Sequence, residues 1–204
     1  EAYFAEAEAR GMRMLGGKVL MDRHAPEALQ DTPQTAYDDS QALIERWHGK
    51  GRALYAISPR FAITSTPAQM EAAGALIARR PDLHVQTHLS ENHDEIAFAC
   101  SLYPEADGYL DIYARYGMLG PKSLLGHAIH LSDRERAVIG ETGAHPVHCP
   151  TSNLFLGSGL FDEAALRAHG ATSGLATDIG AGMSWSMLKT GGAAYAVAQL
   201  QKRS

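Results

Sequence analysis

LHVQTHLSEN, residues Leu83–Asn92, is the stretch on which the fold turns. Leu83–Thr87 is a short β-prone run, His88 follows at once, and Glu91 comes three residues later. The same order recurs along the chain. Lys18–Met21 leads to Asp22, Ala53–Ile57 to Arg60, Ser123–Leu125 to His127, His145–Val147 to His148-Cys149, and Ser173–Ala176 to Asp178. Six β-prone runs each deliver a polar or titratable residue at their C-terminal end.

Between the runs lie helical signals. Thr66-Pro67-Ala68-Gln69 offers an N-cap threonine, proline at the first helical position and Gln at N3. Met70, Ala73, Leu76 and Ile77 then share one face. Ser132-Asp133-Arg134-Glu135 is a second capping box, and Leu43, Ile44 and Trp47 form an apolar stripe in a helix after Thr35. Gly140, Gly143 and Gly170 mark helix exits. Alternating β and α segments predict an α/β fold with a parallel sheet. The alternation alone leaves a (β/α)₈ barrel and a doubly wound sheet both open. Neither a GxGxxG turn nor a GxxxxGK[ST] loop is present to favour the second.

The 204 residues suit one domain or a large part of one. Hydrophobic residues make up 45% and charged residues 20%, an ordinary globular balance. A net charge of −5, with no basic run, argues against nucleic acid or an anionic membrane surface as partner. No apolar stretch approaches the roughly 20 residues of a membrane helix. EAYFAEAEARGMRM, Glu1–Met14, is an amphipathic acidic segment without the layout of a signal peptide. Cys100 and Cys149 stand far apart and form no CxxC pair, so a disulfide framework is not expected and a cytoplasmic setting is.

In a barrel, the residues just past each strand line the C-terminal face, where active sites are built. Two histidines and an aspartate arriving there could converge on a borderline cation. Taken singly, each has a plainer reading. His88 or His127 could be a hydrogen-bonded structural histidine, Asp178 a helix cap, Glu91 a partner for a helix N-terminus, and Arg60 a surface ion-pair residue. His24, His48, His84, His93, His130, His145 and His169 lie in helices, turns or mid-strand, and most of them read as structural. The coincidence of such residues at successive strand ends favours a site.

QTHLSEN (Gln86–Asn92), GHAIHLS (Gly126–Ser132), HCPTSNLFLGSGLF (His148–Phe161) and GLATDIGAG (Gly174–Gly182) resemble the guanine deaminases of the metal-dependent amidohydrolase superfamily, as do GKVLMDRHAP (Gly17–Pro26) and SPRFAITST (Ser58–Thr66). The resemblance runs in order across nearly the whole chain. It implies an incomplete (β/α)₈ TIM-type barrel, with about strands 3–8 present and the first strands and β-sandwich segments missing, so that residues 1–204 form a partial barrel domain. It implies a zinc cofactor, with iron(II) or another divalent ion as alternatives, and hydrolytic deamination of guanine to xanthine and ammonia by a metal-activated water. His88 and Asp178 match metal ligands. Glu91 matches the proton shuttle, His127 the histidine that orients the water, and Asp178 also the acceptor of its proton. Arg60 and Phe61 match the pair that holds the purine, alongside His88, Glu91 and Asp178. A homodimer is implied for the full-length protein.

Departures are also visible. The family's His-x-His ligand pair is absent from this sequence. Ala176 stands where Gly is usual, His24 where Asn is usual, and His145 where a small apolar residue is usual. A fragment without activity of its own is therefore expected, associating through exposed strand edges and apolar helix faces. The alternatives are an amidohydrolase acting on a modified purine, pterin or triazine, and a non-catalytic barrel fragment. The PCxxC element of the other zinc deaminase design is missing, since Cys149-Pro150 has no second cysteine at that spacing.

Overall fold

The computed structural model, which describes residues 1–201, alternates short parallel strands with helices along its length. In chain order these are α1 (Ala2–Ala9), β1 (Met14–Gly16), β2 (Val19–Leu20), α2 (Pro33–Trp47), β3 (Ala53–Pro59), α3 (Pro67–Arg79), β4 (His84–Leu89), α4 (His93–Leu102), α5 (Tyr109–Arg115), β5 (Ser123–His127), α6 (Asp133–Thr142), β6 (His145–His148), α7 (Pro150–Leu156), α8 (Glu163–Ala168), β7 (Gly174–Leu175) and α9 (Met187–Gln201). The described residues group into two compact units: residues 1–87 with 112–118, and residues 88–111 with 119–201.

In the first unit β3 is the central strand. It pairs in parallel with β1 (Met14 opposite Ala53), with β2 (Val19 opposite Ser58) and with β4 (Ala56 opposite His84). Its residues are almost all buried, as expected of a strand covered on both faces. Phe4 stacks between Trp47, 5.7 Å away, and Tyr55, 6.2 Å away, which ties α1 to α2 and β3. Met70, Ala73 and Leu76 bury the inner face of α3, while Ile77 is only partly covered. Asp22, which follows β2, is spent on structure. Its two carboxylate oxygens accept from the Thr66 amide at 2.7 Å and the Thr66 hydroxyl at 2.5 Å. It thereby anchors the residue that caps α3.

The second unit contains β5, β6 and β7 in parallel register, with Leu124 opposite His145 and Val147 opposite Gly174. Ser132 and Glu135 close the capping box at the start of α6, and Gly143 at φ +71° ends it. Gly140 sits inside α6 and is not a helix exit. A Cβ there would fall 1.9 Å from the His169 carbonyl oxygen, so its absence allows the close approach of α6 to the end of α8. Among the described residues no helix is long and apolar enough to cross a membrane. The stretch before and into α9 leaves Trp185 (81%) and Leu188 (90%) exposed.

Three further expectations are corrected. Seven strands are found among the described residues, the additional one being β1, whose three residues carry no periodic signal. The second helix begins at Pro33, before Thr35, because Thr32 is its N-cap and Thr35 the reciprocal partner of the capping box. At Thr66 only half of the capping box forms: the threonine oxygen accepts from the Gln69 amide, while the buried Gln69 side chain does not return the bond.

Gly140→Ala should destabilise the second unit by about 1–3 kcal/mol, the cost of forcing atoms into a packed contact. A chemical denaturation midpoint equal to that of the parent chain would show that α6 and α8 can separate freely.

Candidate active site

The C-terminal ends of β4 and β5 are held together by backbone. The Ala128 amide donates to the Leu89 carbonyl at 2.8 Å, and the amides of Ile129 and His130 both donate to the Ser90 carbonyl at 3.1 Å. Here and after β7 the backbone is unusual. Ser90 (φ +49°), His127 (+67°), Ala128 (+48°) and Asp178 (+47°) all lie in the left-handed region that side-chain-bearing residues avoid. Such residues cost on the order of 1–3 kcal/mol each, and they persist where surrounding contacts over-determine them.

The strained turns aim three side chains at one point. His88, His127 and Asp178 each offer a ligand atom, and these atoms lie within 4.8 Å of one another. The rings of His88 and His127 are 5.2 Å apart. His127 is buried, and its Nδ1 donates to the Asn153 Oδ1 at 2.9 Å. That bond fixes the tautomer and leaves the Nε2 lone pair facing the group. Two imidazoles and a carboxylate, with one imidazole held by an outer hydrogen bond, make a donor set suited to a zinc-like cation. Burial pushes the neighbouring Cys149 thiol up to about 12, with the charges of Asp178 and Glu91 adding to the effect.

Glu91 stands at the edge of this group. Its Oε2 is 3.6 Å from His127 Nε2, and its Oε1 accepts from the Ser158 hydroxyl at 3.0 Å. The backbone beneath it is pinned by the capping box of α4, where the Glu95 carboxylate accepts from the Glu91 amide at 2.7 Å and the Asn92 amide at 3.2 Å. Asp178 is held by a tight turn: Gly182 donates to the Asp178 carbonyl at 2.6 Å, and Thr151 Oγ1 donates to the Thr177 carbonyl at 3.2 Å.

His88, Glu91, His127 and Asp178 therefore come together in the second unit, as their strand-end positions led one to expect. Arg60 and Phe61 belong to the first unit, where they follow β3, with the guanidinium 5.7 Å from the centre of the Phe61 ring. The residues that sequence reasoning missed are Thr151, Asn153 and Ser158. All three lie within the HCPTSNLFLGSG stretch, whose polar residues at 151–153 are buried despite their chemistry. Their partners lie 26, 26 and 67 positions away, so no local signal in the sequence marks them.

Residues 1–203 match the amidohydrolase family, and the chain belongs to it. It is similar to the guanine deaminase of Escherichia coli strain K12, with 50% identity over 201 residues, covering 98% of this chain and 46% of that protein. A solved structure of E. coli guanine deaminase superimposes with a TM-score of 0.97, covering 98% of this chain and 47% of that one. A guanine deaminase from C. acetobutylicum, solved with guanine bound in its active site, is 32% identical with a TM-score of 0.94, covering 98% and 48% of the two chains. The chain thus spans about half the length of the curated relatives it matches, and its α/β fold is that of an incomplete amidohydrolase barrel.

His148, the last residue of β6, stacks on Phe161 at 4.5 Å, with its Nε2 buried and without a hydrogen-bond partner. Burial lowers its pKa from 6.5 to about 4. The unfolded chain then binds the extra proton first as pH falls, so stability contributed by the neutral ring is complete above about 6.5 and is lost progressively towards about 4. Replacing it, as in His148→Phe, should flatten the stability profile across that window. An unchanged slope in denaturation experiments at several pH values would assign the acid sensitivity to other groups.

Proposed function

We propose that this chain carries the greater part of the reaction centre of an enzyme that hydrolyses guanine to xanthine and ammonia. The observation that carries the reading is the convergence of His88, His127 and Asp178 within 4.8 Å, with Glu91 3.6 Å from His127. Its support comes from the guanine deaminases of similar sequence and structure, one of them holding guanine. In this reading His88 and Asp178 hold a divalent cation, zinc by the nature of the donors. The resemblance adds a His-x-His pair that this sequence does not contain. When bound, the cation supplies Lewis acidity and lowers the pKa of a water from 15.7 towards about 7.

The chain's own residues do the rest. Asp178 takes the proton released as water adds to C2 of the purine. His127, with its hydrogen fixed on Nδ1 by Asn153, presents Nε2 to the incoming oxygen and orients it. Glu91 delivers a proton to the ring nitrogen next to C2, is reprotonated by the proton that Asp178 took up, and passes it to the departing amine; the C2 hydroxyl returns its own proton to Glu91 as the carbonyl forms and ammonia leaves. Arg60 is assigned the purine carbonyl through its guanidinium donors, and Phe61 the face of the ring.

On the complete gene product, guanine consumption and xanthine formation should be followed by ultraviolet absorbance together with zinc content. Glu91→Gln should keep its zinc and lose about 10²- to 10⁴-fold in kcat, the usual contribution of a general acid–base. A protein that holds zinc but turns over a pterin or triazine faster than guanine would overturn the substrate assignment. One that holds zinc and turns over nothing would overturn the catalytic one.

A further inference from the structure

Ser158 is better anchored than an exit-loop residue needs to be. It follows Gly157, the left-handed residue that ends α7, and its amide donates to the Asn153 carbonyl at 2.9 Å. Its carbonyl accepts from His130 Nε2 at 2.6 Å. His130 is in turn fixed, with its amide on the Ser90 carbonyl at 3.1 Å and its ring against His93 at 4.1 Å. The next residue must be glycine. Gly159 has φ +136°, and a Cβ there would meet Ile129 Cγ2 at 3.0 Å and His130 Cε1 at 3.1 Å. The loop is therefore pressed onto the β5 exit, and the group it presents is the Ser158 hydroxyl, which donates to Glu91 Oε1 at 3.0 Å.

That bond has a directional consequence. The two carboxylate oxygens of Glu91 are chemically equivalent until a donor occupies one of them. With the serine hydrogen on Oε1, a proton placed on the same oxygen would compete with it, whereas Oε2 is free to take it. Oε2 is the oxygen that lies 3.6 Å from His127 Nε2. The capping box of α4 holds only the Glu91 backbone, so the torsions of its side chain need another restraint. We propose that Ser158, held in place by His130, is a positioning residue that keeps the exchangeable proton of Glu91 on Oε2, facing the His88–His127–Asp178 group. This rests on the role given to Glu91 under the proposed function.

Ser158→Ala, Ser158→Thr, His130→Phe and the double variant Ser158→Ala/His130→Phe should be made in the complete gene product. Ser158→Ala should lower kcat about 10- to 100-fold, the range for outer hydrogen-bonding partners of a site, with KM changed by less than about twofold and zinc content and melting temperature retained. Ser158→Thr, which keeps the hydroxyl, should restore most of kcat. His130→Phe should lose activity in the same sense, and the double variant should be no worse than Ser158→Ala, because both act through one contact. Full kcat in Ser158→Ala, a loss that threonine does not restore, or additive losses in the double variant would overturn the proposal. A crystal structure of Ser158→Ala decides the point even if guanine proves not to be the substrate. Glu91 swung away from His127 supports positioning by Ser158, and Glu91 unmoved refutes it.

Discussion

Three hydrogen bonds leave α7 and its exit loop for three different strand ends, and the geometry of the site depends on them. Thr151 reaches the carbonyl preceding Asp178, Asn153 reaches His127, and Ser158 reaches Glu91. The residues they hold come from β7, β5 and β4, elements whose own hydrogen bonds end where the functional side chains begin. Parallel strands bring these ends to the same edge of the sheet, with β6 between β5 and β7. They do not fix the side-chain torsions, or the peptide orientations of turns with positive φ. A short helix lying across the ends can do both, because its side chains radiate in several directions from one rigid backbone.

The bracing also accounts for where the strain is found. Ser90, His127, Ala128 and Asp178 share the left-handed backbone region, and each lies in, or directly beside, a segment that the α7 contacts or the paired amides of residues 128–130 immobilise. Local preference alone would relax these turns and turn the side chains away from one another. The energy that keeps them comes from the packed surroundings, in which Leu89, Leu125, Ile139 and Tyr109 are essentially inaccessible to solvent.

Much of this could be read from the sequence, and the limits are physical. Strand ends are legible because a β-prone run that stops at a histidine or aspartate leaves a mark in one dimension, and His88, His127 and Asp178 were found that way. Capping boxes are legible because Ser132 and Glu135 interact within one turn. Asn153 and Ser158 were not legible as partners. Their contacts span 26 and 67 positions, and nothing local distinguishes a buried asparagine aimed at a histidine from one satisfied by its own helix. Gly140 was misread for the same reason: the His169 carbonyl that excludes a side chain there is brought close only by tertiary packing. β1 was missed because three residues cannot display a period.

The choice of an amide rather than a carboxylate behind His127 follows from the charges already present. Histidines at metal sites are often oriented by an aspartate or glutamate, which fixes the tautomer and increases ligand basicity together. Here Glu91 and Asp178 already bring two carboxylates to the group, and burial leaves little water to screen a third. Asn153 Oδ1 fixes the hydrogen on Nδ1 with no added charge. A hydroxyl does the equivalent for Glu91, since Ser158 selects one of two oxygens without neutralising the carboxylate as a lysine or arginine would. Both braces set direction and leave charge unaltered. In the function proposed for this site, that is the property required of supports around a centre whose charge is set by a cation and by a proton in transit.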